Sequence, residues 1–298
     1  MKPSSDGTKW FPPHARVGII GGKGEMGRLF RRFFEKRGYQ VDIADLQTPK
    51  TSREIIESSD LVLFSVPLHQ TVEIIEENLP YLRDDQLVMD LTSLKVEPIR
   101  AMLRSKASVV GLHPMFGGSI SSFSGQTIIA CPVRIDSRVW SRLRMEFEQE
   151  GMVVRECSPE KHDKLMAIIQ VLFHLSTMIQ GRVIRELGID IEETLGYTSP
   201  VYRTEICLLG RMFAQSEWLY SAISQMNPHT PQIIDLIQAI LSEYKTWITE
   251  KNLSALAHDF AKTRAHLGSF CQRAFEESSR LIDLSSALFR SAEEVKSS

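Results

Sequence analysis

Two polar clusters in this chain stand where apolar runs end, and both carry side chains able to move protons. One is Gly111-Leu112-His113-Pro114-Met115-Phe116-Gly117-Gly118; the other is Asp90-Leu91-Thr92-Ser93-Leu94-Lys95. An imidazole titrates near neutral pH, so His113 can take a proton from a substrate hydroxyl while hydride leaves the same carbon. A core histidine satisfied by backbone is the plain alternative. The strand-end position, the following proline and the glycine pair favour the chemical role. The Ser93 hydroxyl can orient the imidazole. Further along, polar groups stand inside apolar helical patterns: Gln170 with His174, and Arg211 with Gln215, each at i,i+4 and so on one face. Arg203 precedes Arg211 by eight residues, about 80° around a helix and ~12 Å along it. An arginine between CLLG and MFAQ is costly to bury unless an anion pairs with it, and a carboxylate can do so with two parallel hydrogen bonds. Arg211, Arg203 and His174 are therefore candidate substrate-binding residues; an internal pair of Arg211 with Glu205 is the alternative. His162, at a helix start, reads more simply as solvated.

A third cluster binds rather than reacts. Gly22-Lys23-Gly24-Glu25-Met26-Gly27 has the G-x-G-x-x-G spacing, follows the apolar run RVGIIG and opens the helical pattern MGRLFRRFFEKRG. In that context the first glycine permits a tight turn, the second lets backbone approach a pyrophosphate, and the third lets helix and strand pack closely. The unpaired N–H groups of the helix start face the phosphates. Asp45 ends the next strand pattern, 21 residues beyond Gly24. A carboxylate there accepts hydrogen bonds from the adenosine ribose and repels a 2′-phosphate, which favours NAD over NADP as the cofactor. Ser65-Val66-Pro67 close the run LVLFSVP at the same edge, where Pro67 ends the ladder. The cofactor-binding candidates are thus Gly22, Gly24, Glu25, Met26, Gly27, Asp45, Ser65, Val66 and Pro67. No metal site is expected. Cys131, Cys157, Cys207 and Cys271 lack ligand spacing and read as reduced, mostly buried thiols of a cytoplasmic protein.

The elements that must position these groups follow from periodicity. Strand patterns cover 16–21, 40–45, 61–66, 87–91, 109–113, 127–131 and 152–155, with helical patterns between many of them. Continuous apolar strands alternating with helices predict a mostly parallel, Rossmann-type α/β sheet covered on both faces. From Ser158 on, the period is helical: about 160–187, 201–225, 231–250 and 253–288. Ser158-Pro159-Glu160 is a helix start with serine as cap and proline at the first position. The expected organisation is a loose leader (1–15), a dinucleotide-binding domain (16–157) and an all-α helical domain (158–298). The segment 117–125, GGSISSFSG, shows no packing signal and reads as a mobile loop able to close over a ligand.

Composition narrows the partners. The chain has 298 residues, 43% hydrophobic and 24% charged, with a formal charge of −2. Near-neutrality argues against nucleic acid as a partner, since phosphate binding needs a clustered positive excess. No run of about 18 apolar residues occurs, so no membrane span is expected. The N-terminus has no apolar segment of the secretory type.

Together these residues resemble the prephenate dehydrogenase family. The matching segments are GGKGEMGRLF, LFSVPLH, DLTSLK, VVGLHPMFG, KHDKLMAIIQVLFHLST and, most specifically, TSPVYRTEICLLGRMFAQSEWLY. The likeness runs from residue 16 to near the end. It looks nearest to the dehydrogenase part of the enteric type, usually fused behind a chorismate mutase domain that this sequence does not include. The resemblance implies NAD-dependent oxidative decarboxylation of prephenate to 4-hydroxyphenylpyruvate. His113 would be the base at the 4-hydroxyl, Ser93 its orienting partner and Arg211 the clamp on a carboxylate; His174 would be a pocket residue, with Lys95 and Gln215 lining the site. It also implies a homodimer made through the helical domain. Similar free-standing proteins oxidise 4-amino-4-deoxyprephenate to 4-aminophenylpyruvate, and the signals above do not separate the two substrates; arogenate is a third. Outside this class stand a non-catalytic NAD-binding regulator, for which His113 and Arg211 would be expendable, and a 3-hydroxy acid dehydrogenase plan that uses a helix lysine (Lys161 or Lys164) and leaves His113 without a role.

Overall fold

The computed structural model describes residues 15–296, with side chains described to residue 287. The expected leader therefore lies almost wholly outside the described residues. Seven strands form one sheet: β1 Arg16–Ile20, β2 Gln40–Ala44, β3 Leu61–Phe64, β4 Leu87–Asp90, β5 Ser108–Pro114, β6 Thr127–Arg134 and β7 Val153–Glu156. Their order is β2-β1-β3-β4-β5-β6-β7, so the direction of winding reverses between β1 and β3. All pairs are parallel except β5 with β6. That exception has a simple cause. Parallel neighbours need a crossover, usually a helix, and the link from β5 to β6 holds none.

Strands β3 and β4 are buried at every residue, as interior strands of a two-faced sheet must be, whereas the edge strand β2 is half-buried. One face packs on Phe30, Phe33 and Phe34 of α1 (Glu25–Lys36) and on Trp140, Leu143 and Phe147 of α5 (Ser137–Gln149). The other packs on Ile55 and Ile56 of α2 (Ser52–Ser58), Ile75 of α3 (Thr71–Asn78), and Ile99 and Met102 of α4 (Val96–Met102). The segment 117–125 is less free than expected. Phe123 packs edge-on against Phe30, Phe33 and Phe116, so one aromatic side chain anchors it.

Beyond β7 the chain is helical: α6 Pro159–Met166, α7 Phe173–Glu186, α8 Ile191–Leu195, α9 Pro200–Phe213, α10 Glu217–Met226, α11 Thr230–Thr249, α12 Leu253–Leu267 and α13 Phe270–Lys296. Ser158 caps α6 through Lys161 N–H, with Pro159 in the first turn, as the sequence suggests. Three expected long helices are interrupted. Ala167–Leu172 is a π-helical segment between α6 and α7; residues 214–216 separate α9 from α10; and Gly268, with a positive φ of 57°, separates α12 from α13. The described chain divides into two compact units: a sheet unit that runs to Val171 and regains Leu219–His229, and a helical unit of Leu172–Trp218 with the residues from Thr230 on.

The helical unit leaves much apolar surface open within one chain. Leu208, Phe260, Phe275 and Leu284 are each more than 60% exposed, and α7 and α12 bury no residue. One helix bears on the expectation that no segment spans a membrane. The helical stretch Pro159–Glu186 contains a window with mean hydropathy 1.3, long and apolar enough to cross a membrane by length and composition. No run of about 18 apolar residues occurs in it, since Lys164, Gln170, His174, Gln180 and Arg182 interrupt it, and its buried His162 and Asp163 tie its start into the sheet unit. The expectation for the thiols is corrected: all four cysteines are free, but only Cys131 is buried.

Candidate active site

The glycine turn forms the first wall. Gly21, just before the motif, has a φ of +84° and takes the sharp turn expected of Gly22. A Cβ on Gly22 would fall 2.5 Å from Ile43, and one on Gly27 2.4 Å from the Gly21 carbonyl oxygen, so both glycines serve close packing. Gly24 is exposed and is the N-cap of α1, with no side chain capping the helix. The first turn of α1, Glu25 and Met26, is thus left for an anion. Asp45 follows β2; its carboxylate accepts the N–H groups of Lys23 (2.7 Å) and Leu46 (2.7 Å). A cleft of about 650 Å³ is lined by Gly21, Lys23, Gly24, Asp45, Ser65, Val66 and Pro67, among others. An uncapped helix start, a glycine-rich loop whose one long side chain, Lys23, is turned to the Leu46 and Gln47 carbonyls, and an adjacent carboxylate fit a dinucleotide.

The second wall is built at the ends of β4 and β5. His113 is buried at the end of β5. Its Nδ1 lies 2.9 Å from Nε2 of His162, and its Nε2 lies 3.4 Å from the amide nitrogen of Gln170. His162 Nδ1 lies 2.7 Å from a carboxylate oxygen of Asp163. That carboxylate also accepts the backbone N–H groups of Lys95 (2.8 Å) and Val96 (3.0 Å), while Asn227 donates to the Asp163 carbonyl (2.9 Å). Burial holds the His113 imidazole well below the usual histidine range, and the charges of His162 and Lys95 push the same way. Burial also lowers His162, against an opposing hydrogen bond to Asp163. Both rings are accordingly neutral at neutral pH.

The structure differs from expectation at two residues here. No hydrogen bond joins Ser93 to His113; the orienting partner is His162, which is fully buried rather than solvated. Lys95 lines no open site. It is 0% exposed, and its ammonium bonds Asp90 and the Leu112 carbonyl (2.8 Å), fastening the two strand ends together. The charged run EKHDK hid the buried His162–Asp163 pair, although its place in the first turn after a Ser-Pro cap was a usable signal.

The remaining candidates belong to the helical unit. His174 is half-buried on α7, and burial lowers its imidazole. Arg203 is half-buried and Arg211 exposed, both on α9. Arg211 makes no ion pair with Glu205 or any other described residue, so within one chain neither internal pairing nor burial occupies it. Gln215 is exposed and donates to the Arg211 carbonyl (3.0 Å). Gln170 lies within the π-helical segment and His174 at the start of α7, so their expected common face is not that of a regular helix.

Comparison with known proteins agrees with this architecture. Residues 31–154 match the family model "Prephenate dehydrogenase, nucleotide-binding domain", and residues 158–262 match "Prephenate dehydrogenase, dimerization domain". The T-protein of Haemophilus influenzae is 32% identical over 90% of this chain and 71% of its own length. That of Enterobacter agglomerans is 31% identical over 93% and 74%. A crystal structure of prephenate dehydrogenase from Aquifex aeolicus, in complex with hydroxyphenyl propionate and NAD+, shares the fold with a TM-score of 0.65 at 18% identity, covering 86% of this chain and 99% of that one. Two successive domain matches, relatives aligned over about nine-tenths of this chain and a Rossmann-type sheet followed by a helical unit lead to one assignment: the chain belongs to the prephenate dehydrogenase family.

Proposed function

We propose that this protein catalyses the NAD-dependent oxidative decarboxylation of prephenate to 4-hydroxyphenylpyruvate. The observation that carries the reading is a buried neutral imidazole, His113, at the carboxyl edge of the same sheet whose first strand ends in an uncapped glycine turn. Gly24 and the start of α1 hold the pyrophosphate, Asp45 the adenosine ribose, and Ser65-Val66-Pro67 the edge of the cleft. NAD held there would supply the acceptor for the hydride that leaves C4. His113 Nε2 accepts the proton of the 4-hydroxyl, so the electron pair of the O–H bond is available to carbon as hydride departs. The bond from C1 to its carboxylate then breaks, carbon dioxide leaves, and the released pair completes the aromatic ring. The proton returns to the phenolic oxygen. Arg211 holds a substrate carboxylate in bidentate fashion, and Arg203, His174 and Gln215 complete substrate recognition. The homodimer covers the apolar surface that the helical unit leaves open, as the name of the matched dimerization domain supports.

The test is a paired assay. Purified protein with NAD should reduce it and release carbon dioxide faster with prephenate than with 4-amino-4-deoxyprephenate or arogenate. A preference for either amine would change the substrate within the same chemistry. No reduced nicotinamide with any of the three would overturn the reading.

A further inference from the structure

His113 is not held by the hydroxyl that the sequence suggested, and what holds it has a direction. Both oxygens of the Asp163 carboxylate already accept backbone N–H groups, from Lys95 and from Val96. The carboxylate therefore acts as an acceptor, and His162 Nδ1, 2.7 Å away, carries the proton between them. A neutral imidazole with its proton on Nδ1 presents a lone pair at Nε2. That lone pair faces His113 Nδ1 at 2.9 Å, so His113 Nδ1 is the donor. The lone pair of His113 is then fixed on Nε2, which is the atom facing the Gln170 amide nitrogen at 3.4 Å. Each step leaves one arrangement, and the start of the chain is pinned by the N-terminal turn of α4 and by Asn227.

We propose that Asp163 and His162 are positioning residues that fix the tautomer of His113 and present its Nε2 as the proton acceptor. The proposal rests on the role given to His113 above and extends it. When Nε2 takes the substrate proton, the imidazolium keeps its Nδ1–H bond to His162, whose basicity the Asp163 carboxylate supports. The proton leaves Nε2 for the phenolic oxygen, and the Nδ1–H bond to His162 persists throughout. The titratable and charged groups that face this pair from neighbouring elements are Asp163, Lys95 and Asp90. Lys95 and Asp90 are paired with each other, which leaves Asp163 as the group acting on His162 directly.

The experiment uses the full chain and two kinds of readout. In the wild-type protein, nitrogen-15 imidazole spectra should show both His113 and His162 protonated on Nδ1. His113 protonated on Nε2 would overturn the proposal whatever the activity. In turnover, His162→Leu should lower kcat by about 10- to 100-fold, with the KM values for substrate and NAD within about threefold of wild type. The acid limb of its kcat/KM profile should move to lower pH, because the His113 imidazolium has lost its acceptor. His162→Gln, whose side-chain oxygen can stand where Nε2 stood, should recover about tenfold of the loss. Equal activity of the Leu and Gln variants, with an unmoved pH profile, would overturn the relay. If His162→Leu does not fold, as judged by its melting curve, the Gln variant and the wild-type spectra still decide. An inactive wild type would sink the proposed function alone, while the spectra would still judge the relay.

Discussion

At the scale of single residues, the site depends on where charge is left unmatched. Arg211 lies exposed with no ion pair among the described residues while Lys95, expected to line the substrate site with it, is sealed against Asp90. Arg211→Ala should therefore raise the substrate KM by about 10-fold or more, in keeping with a lost charge-assisted pair. Lys95→Ala should unfold the strand ends rather than alter KM selectively, because it leaves a buried carboxylate alone. Steady-state kinetics and thermal melts on the two variants separate these outcomes; an unchanged KM for Arg211→Ala would remove it from substrate binding. The two buried histidines also make stability depend on pH. Their folded values lie below the ordinary value of 6.5, so between those values the unfolded chain binds more protons than the folded one. Stability from this source is complete above about pH 6.5 and is lost as pH falls toward the folded values. The melting temperature should drop from pH 7 to pH 5, and His113→Asn should flatten that slope. A variant with the wild-type slope would show that other groups set it.

At the scale of elements, packing distances decide what the glycine motif tolerates. A Cβ at position 27 would meet backbone on both sides, 2.4 Å from the Gly21 oxygen and 2.8 Å from the Gly22 Cα, where no side chain can yield. Gly27→Ala should therefore cost about 1–3 kcal/mol of stability and weaken NAD binding, as titration calorimetry would show. Gly38, by contrast, has a positive φ with open space around it, so only its backbone conformation resists substitution. The π-helical segment carrying Gln170 is an element that periodicity could not reveal, since one extra residue in a turn leaves no mark on composition. Its position beside His113 matches the tendency of such segments to occur where function needs a side chain turned off the regular helical face.

At the scale of the whole molecule, the helical unit's open apolar side chains argue that one chain is not the complete assembly. Monomeric proteins rarely leave so many large apolar groups exposed together. Sedimentation at micromolar concentration should give twice the chain mass, and a monomer there would contradict the homodimer. The sequence by itself determined the strand and helix periods outside the π-helical segment, the glycine turn, the strand-end histidine and the family likeness, because these are local patterns of residue type and spacing. It misjudged His162, Lys95 and Phe123, since burial depends on which distant surface a side chain meets. Only tertiary contact decided that His162 and not Ser93 holds His113, that Lys95 faces Asp90 rather than a ligand, and that Phe123 anchors its loop. A charged or polar letter in a sequence carries no record of its partner; the free energy of desolvation, settled by neighbours far along the chain, chooses one.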